Sequence, residues 1–445
     1  MGSTRVPGWV WVVLVGAHLL GLGWALSKGT WDFPDSGRYV QAAENLRTHG
    51  QLYARPWSAR APHGQAVQEF TIRPLGYPLV ILALGATRRP PVALLVVQNL
   101  LSLLNLGVVL GFWARQAQPR PKDWVWAVAG ILTFPAQLIY SSTVMSEMVL
   151  QTVVLAMAGK GLLFIKTRSK RALGGVAGAV VLALLLKPVF YPLAMAMTGM
   201  GIVLAARQRR LSLGLIGLGP LMVVGLYMGW NAQRTGYFHF SSITEINLLQ
   251  YNAAGVVRQV AGPAAEEKWV DAVLRTANAQ PNFRARQQLI RARARAVLWS
   301  HPMVYAQQQA QGMAALLLDP GRFDISQFLG LVPPGGGGFL AQVRAGTLWQ
   351  AVGRLPLAML GWLGVVLLAS VVRLALAWRG FWRLSDRELM LRHGRWLAVS
   401  LVLYIAVLTG PLGAARFLVP VWPLLLALAL MGLRDGKTPL ASETT

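Results

Sequence analysis

The chain reads as an all-α polytopic membrane protein, a bundle of about ten transmembrane helices with further helices lying outside the bilayer. Three observations predict this class. Hydrophobic residues make up 55% of the 445 and charged residues only 13%, well away from the balance of a soluble domain. Apolar runs recur along the chain at lengths approaching the roughly 20 residues that cross a bilayer. The 42 Lys and Arg, set against 16 Asp and Glu, gather in short clusters between those runs, where they set topology. A net charge of +26 therefore does not point to nucleic acid. The absence of cysteine excludes disulfides and thiolate metal ligation.

Arg5 ahead of the run 9–26 imitates a secretory leader, but the run is long and the small residues near Ala25 and Ser27 make a weak cleavage pattern, so it reads as the first membrane anchor. The later runs are 75–86, 92–113, 124–140, 148–165, 173–186, 189–205, 211–230, 355–378, 396–415 and 417–433. The first of these is too short to cross, since its uninterrupted part, 79–86, lies between Pro78 and the breakers Pro90 and Pro91. Charge gives the same answer. If 75–86 lies in the outer interface, the clusters Arg115/Arg120/Lys122, Lys166/Arg168/Lys170/Arg171, Arg207/Arg209/Arg210, residues 379–395 and Arg434/Lys437 all share the side of Arg5. That side is then cytoplasmic. The expected organisation is an N-terminal membrane module 1–230 carrying an external loop 27–91, an external helical loop 231–345, and C-terminal membrane helices with a cytoplasmic tail, 346–445.

The cytoplasmic links are short and basic, interrupted only by Asp386 and Glu388 in the longest, so function is sought on the outer face. In the first loop, Asp35-Ser36 opens a helical pattern with Tyr39, Ala42, Ala43 and Leu46 on one face, closed by Gly50. The large loop reads as three amphipathic helices. One spans 264–279, with Trp269, Val270, Val273, Leu274 and Ala277 on one face; an Arg-rich second is capped by Asn282; a third opens at Pro302 with Met303, Ala306, Ala310, Met313 and Leu317 as its apolar face. Residues 333–338, Pro-Pro then four Gly, read as a linker back to the membrane. The Arg-rich helix is either a solvated face or a surface for anionic head groups.

Several site signatures are missing. The six His are scattered without metal-ligand spacing, and there is no phosphate-binding Gly loop and no Gly-x-Ser-x-Gly elbow. No metal or other cofactor is expected. What stands at the outer face is a set of isolated charges: Asp32, Asp35, Glu147, Arg73, Lys187 and Arg416. A carboxylate can take the proton of an attacking hydroxyl while a separate cation takes up charge on a phosphate leaving group. A lipid-linked sugar phosphate supplies both sugar and membrane anchor, so these residue types point to glycosyl transfer.

Each residue also has a plainer reading. Asp35 is placed to cap its helix, and Glu147 to cap the following span. Arg73 is placed to anchor its loop at the head groups, and Lys187 and Arg416 to snorkel from span ends. Asp32 reads as structural.

The stretch Asp35-Ser-Gly-Arg-Tyr39 with Ala42, Ala43, Leu46 and Gly50, followed by Arg73-Pro-Leu-Gly-Tyr-Pro78, resembles the first external loop of the GT-C glycosyltransferase superfamily. Within it the chain is most similar to bacterial relatives of protein O-mannosyltransferases and aminoarabinose transferases. Ser146-Glu147, Lys187-Pro188 and Ala415-Arg416-Phe417 with Pro420 and Pro423 fit the same pattern. The resemblance covers the membrane core and hardly touches the loop 231–345.

It implies an enzyme of the cell membrane, in bacteria the inner membrane, with its active site facing the periplasm. Such an enzyme moves a sugar from a polyprenyl-phosphate carrier to a glycan, lipid or protein acceptor. Asp35 would be the catalytic base, Glu147 is the candidate for a second catalytic residue with Asp32 or no second acid as the alternatives, and Arg73, Tyr77, Lys187 and Arg416 would bind substrate. Ser36 stands where the mannosyltransferases commonly have a second acidic residue. Two other classes stay open: a lipid or sugar-lipid transporter, against which stand few charges within the spans and no clear internal repeat, and a polysaccharide ligase of the same pathway.

Overall fold

The structure is a computed structural model that describes residues 5–58, 62–87, 89–331, 357–384 and 389–433. Among these every regular element is helical, as the composition predicts. The linker at 333–338, Asp386, Glu388, Arg434 and Lys437 lie outside the described residues.

The apolar runs become the long helices. Helix α1 (Gly8–Lys28) is followed by the first loop, with α2 (Ser36–His49), a 3-10 turn (Gly64–Phe70) and α3 (Gly76–Ala83). Then come α4 (Val92–Ala117), α5 (Pro121–Leu132), α6 (Pro135–Ser141), α7 (Glu147–Thr167), α8 (Lys170–Leu186), α9 (Tyr191–Gln208) and α10 (Leu211–Thr235). The large loop supplies α11 (Ile243–Asn247), a π-helical turn (Leu248–Ala253), α12 (Ala254–Ala261), α13 (Pro263–Asn278), α14 (Phe283–Ser300), α15 (Pro302–Leu318) and α16 (Arg322–Phe328). The chain closes with α17 (Leu357–Arg383), α18 (Leu389–Thr409), α19 (Ala415–Leu418) and α20 (Trp422–Gly432).

Among the described residues, seven helical segments are long and apolar enough to cross a membrane, and α5 with α6, bent by 60° at their junction, make an eighth if counted as one span. Of the ten spans expected, two fall short of that measure: the 17-residue α8 and the last segment, which is broken into α19 and α20. Pro135 explains the α5–α6 break, because it disfavours helical geometry in the residue before it and lacks an N–H to continue the ladder. The eight-residue α3 is far too short to cross, as its flanking prolines indicate. Large apolar side chains such as Leu20, Leu215 and Leu226 face outward, where hydrocarbon rather than water would cover them.

Outside the spans the sequence pattern is met in part. Asn282 caps α14, its side chain accepting the N–H of Ala285 at 2.9 Å, and Val273 and Ala277 of α13 are buried. Helix α2 buries Tyr39, Ala42 and Ala43, but Asn45 takes the place expected for Leu46, because its amide donates at 2.7 Å to the carbonyls of both Tyr53 and Arg55. The face expected for α15 is met in part: Met313 and Leu317 pack against the core, but Met303 is 79% exposed, and the buried positions are Gln308, Gly312, Ala315 and Leu316. Backbone contact decides it. A Cβ on Gly312 would lie 2.1 Å from the carbonyl oxygen of Gly410, so only a glycine face lets α15 press against the turn that leads to Arg416.

Candidate active site

Five segments far apart in sequence bring their charges together at one place. Asp35 stands at the start of α2, but its side chain caps nothing. One carboxylate oxygen accepts from Arg73, and the other accepts from Arg416 Nη2 at 2.8 Å. The capping reading of Asp35 is thereby removed. Glu147 begins α7, and its Oε1 accepts from Arg416 Nε at 2.7 Å and from Lys187 Nζ at 3.0 Å. The result is one continuous chain of charge, Arg73, Asp35, Arg416, Glu147, Lys187. The lysine side chain is 16% exposed and that of Arg416 is 20% exposed, so neither reaches out to head groups as a snorkelling residue would. Asp32 does not join the chain and pairs with Arg89 at 2.9 Å, both partly exposed.

Local structure holds each member in place. The guanidinium of Arg73 lies 4.8 Å from the ring centre of Tyr39, which meets Tyr77 edge-on at 4.9 Å. Tyr77 is fully buried, and its hydroxyl donates to Gln98 Oε1 at 2.7 Å. It therefore stands behind the charges, fixing Tyr39 and Arg73, rather than among them. Ser36 Oγ accepts the N–H of Phe33 and donates to the carbonyl of Val144, which ties the start of α2 to the segment before Glu147. Gly76 seats α3 against the end of α8, since a Cβ there would lie 2.6 Å from the carbonyl oxygen of Leu185. That contact is two residues from Lys187.

The electrostatics follow from this crowding. Burial raises the pKa of the Asp35 carboxyl, but Arg416, Arg73 and Lys187 together outweigh it and hold the group well below the usual carboxylate range. Asp35 is an anion at neutral pH, and its side chain keeps 24% exposure. Buried beside the ion pairs are polar atoms with no hydrogen-bond partner: Glu147 Oε2, Arg73 Nε, Ser146 Oγ and Thr143 Oγ1. Unpaired buried polar groups are costly, and such a concentration marks a place that a polar ligand would complete. Among the described residues no group of three or more His, Cys, Asp or Glu could hold a metal ion.

Two further acidic residues belong to this neighbourhood although nothing in their sequence context singled them out. Asp319 ends α15 and accepts the backbone N–H of Ala415, next to Arg416, at 3.1 Å. Asp324 in α16 accepts the phenol O–H of Tyr140 at 2.8 Å. Their one visible signal was rarity, two acids around Pro320-Gly321 in a strongly basic chain.

No family model and no curated protein matches the chain. Among solved structures it is similar to ArnT from Cupriavidus metallidurans bound to undecaprenyl phosphate, at 16% identity and a TM-score of 0.38, over 96% of this chain and 78% of that one. The apo state of the same protein gives 16% identity and a TM-score of 0.34, over 96% and 77%. The arabinosyltransferase EmbB from Mycobacterium smegmatis gives 11% identity and a TM-score of 0.34, over 98% of this chain and 42% of that one.

Proposed function

We propose that the protein is an integral membrane glycosyltransferase that takes a sugar from a polyprenyl-phosphate carrier and passes it to a hydroxyl acceptor on the outer face of the cell membrane. The observation that carries this reading is the five-residue chain of charge built from separate segments at helix ends. Three cations, Arg73, Lys187 and Arg416, face two carboxylates, Asp35 and Glu147. One positive charge is left over. A sugar linked to a lipid through one phosphate carries one negative charge and would balance it, with its tail along the apolar outer surface of the bundle.

In the transfer, the acceptor oxygen bonds to the anomeric carbon, the bond from that carbon to the phosphate oxygen breaks, and its electron pair leaves with the phosphate. Arg416 and Lys187 stabilise that developing charge. The hydroxyl proton passes to Asp35. In the resting site both Asp35 oxygens are occupied by guanidinium groups. A donor phosphate competing for Arg73 and Arg416 would release the carboxylate to accept the proton when the donor is in place. Domain roles follow: the first loop supplies the base, the ends of α8 and α18 lead into the phosphate-binding cations, and the large loop covers the site.

The test is mass spectrometry of envelope glycans and carrier lipids from a deletion strain, with transfer assayed on the purified protein. Loss of one sugar, with its carrier-linked form accumulating, supports transfer. Finished precursor held on the inner face would instead identify a transporter and end the proposal.

A further inference from the structure

The large external loop closes on the site with an acidic segment that the proposed transfer does not use. Asp319 Oδ2 accepts the N–H of Ala415 and its Oδ1 that of Gly321, both at 3.1 Å, which fixes the backbone that carries Arg416. Asp324, 5% exposed, accepts the hydroxyl of Tyr140. Tyr140 is fully buried on α6, and its ring meets Phe33, two residues before Asp35, edge-on at 5.7 Å. The charges of Arg416 and Glu147 both act on Asp324, yet none of the ion pairs among the described residues includes it. Tyr140 from α6 is its hydrogen-bond partner, and the other groups whose charge reaches it are Glu147 from α7, Arg416 from α19 and Asp319 from its own segment. Helix α1 meets α16 through the uncharged Trp24, whose indole N–H donates to the carbonyl of Phe328.

We propose that Asp324 tunes the charge of the donor site: as a neutral acid it leaves the net positive charge of the five-residue chain free to attract a phosphodiester, and as a carboxylate it opposes that charge and weakens donor binding. The inference rests on the reading of the cluster as a phosphate site. It makes Asp324 a positioning residue that acts through Arg416 and Tyr140 rather than on the reacting atoms. Its titration falls in a useful range. Burial pushes the carboxyl up to about 7, helped by Asp319 and Glu147 and opposed by the Tyr140 hydrogen bond and by Arg416. A donor held in its resting state by three cations would thus bind more firmly on the acid side of neutrality.

The experiment measures binding of a polyprenyl methyl phosphodiester, whose one charge does not titrate near neutrality, to the full-length protein in nanodiscs across the neutral range. Wild-type affinity should fall about tenfold between about pH 6 and pH 8, the scale of one added charge acting through a partly screened medium. Asp324→Asn keeps the acceptor for Tyr140 and should bind with the acid-side affinity at both ends. Tyr140→Phe removes the hydrogen bond that favours the carboxylate, so the drop should persist with its midpoint moved to higher pH. Flat wild-type affinity, or an Asp324→Asn protein that retains the full drop, would overturn the role of Asp324 and leave the donor site standing. Failure of the wild type to bind the diester at any pH would remove the donor site and this proposal together. If Asp324→Asn does not fold, the Tyr140→Phe midpoint decides: an upward shift supports the role and an unmoved one refutes it.

Discussion

Replacing Asp35 with Asn separates base from scaffold, because the two roles predict opposite changes in donor affinity. Asn has nearly the same shape, and since the native side chain makes no capping bond, no cap is lost with it. What goes is the ability to take a proton. General base catalysis typically contributes about 10²- to 10⁴-fold, so kcat should fall by that factor, a barrier increase of about 3 to 5 kcal/mol at 1.36 kcal/mol per decade.

Stability changes less. Arg416 keeps Glu147 at 2.7 Å and Arg73 keeps the Tyr39 ring, so the cost is the weakening of charged hydrogen bonds, about 1 to 3 kcal/mol. The cluster meanwhile gains a net positive charge, so KM for the donor should stay level or drop. Steady-state transfer in nanodiscs with varied donor, beside thermal unfolding, gives all three numbers. Full activity would remove Asp35 as the base and move the search to Asp32 and Glu147. A normal kcat with a raised donor KM would recast Asp35 as a holder of arginines.

Lys187→Met and Arg416→Met should each raise the donor KM, since a charge-assisted contact worth about 1.5 to 3 kcal/mol corresponds to roughly tenfold to a hundredfold in kcat/KM; unchanged donor kinetics in both would make the cations structural. The Asp324 carboxyl, raised to about 7 when folded and near 4 when unfolded, lowers stability progressively as pH rises between those values. Asp324→Asn should therefore raise Tm most above neutrality and hardly at all near pH 4, and an equal shift at both would exclude that carboxyl as the cause. Gly312→Ala drives a Cβ into the Gly410 carbonyl and should cost both stability and transfer by displacing the turn before Arg416; wild-type Tm and kcat would contradict that packing. A reporter at residues 88–91 should lie on the same side of the membrane as one within 231–345, and a cytoplasmic signal at 88–91 would mean that 75–86 crosses.

Legibility followed the cost of each feature. A bilayer demands apolar length, so α1, α4, α7, α9 and α10 could be read from runs of residues. In a chain that is 13% charged and strongly basic, acids at the edge of the bilayer need a reason, so Asp35 and Glu147 stood out, with the isolated cations Arg73, Lys187 and Arg416, before any contact was known. The break between α5 and α6 was not read, although Phe134-Pro135 marks it, because apolar composition runs straight through. The polar face Gln98, Asn99, Ser102 and Asn105 on α4 was also passed over. These side chains are buried and bond to the segment before Glu147 and to its neighbours on α6 and α7, so they belong to the frame of the site.

The large loop after α10 shows where such reading stops. Its helices face water as well as protein, and there an acid needs less reason, so beyond their rarity nothing in the pattern singled out Asp319 and Asp324. Their significance is tertiary: one grips the backbone beside Arg416 and the other grips Tyr140, contacts that cross 96 and 184 residues of chain. The same limit explains α15, where the hydrophobic pattern included Met303, which is exposed, and the glycine contact with the Gly410 turn shifted burial toward Gln308 and Gly312. At both points the loop is shaped by what it touches in the membrane core. A loop that varies freely around a fixed site should therefore tolerate change at the exposed residues Arg284, Arg293 and Arg295 and resist it at 312, 319 and 324, where its structure and that of the charge cluster are one packing unit.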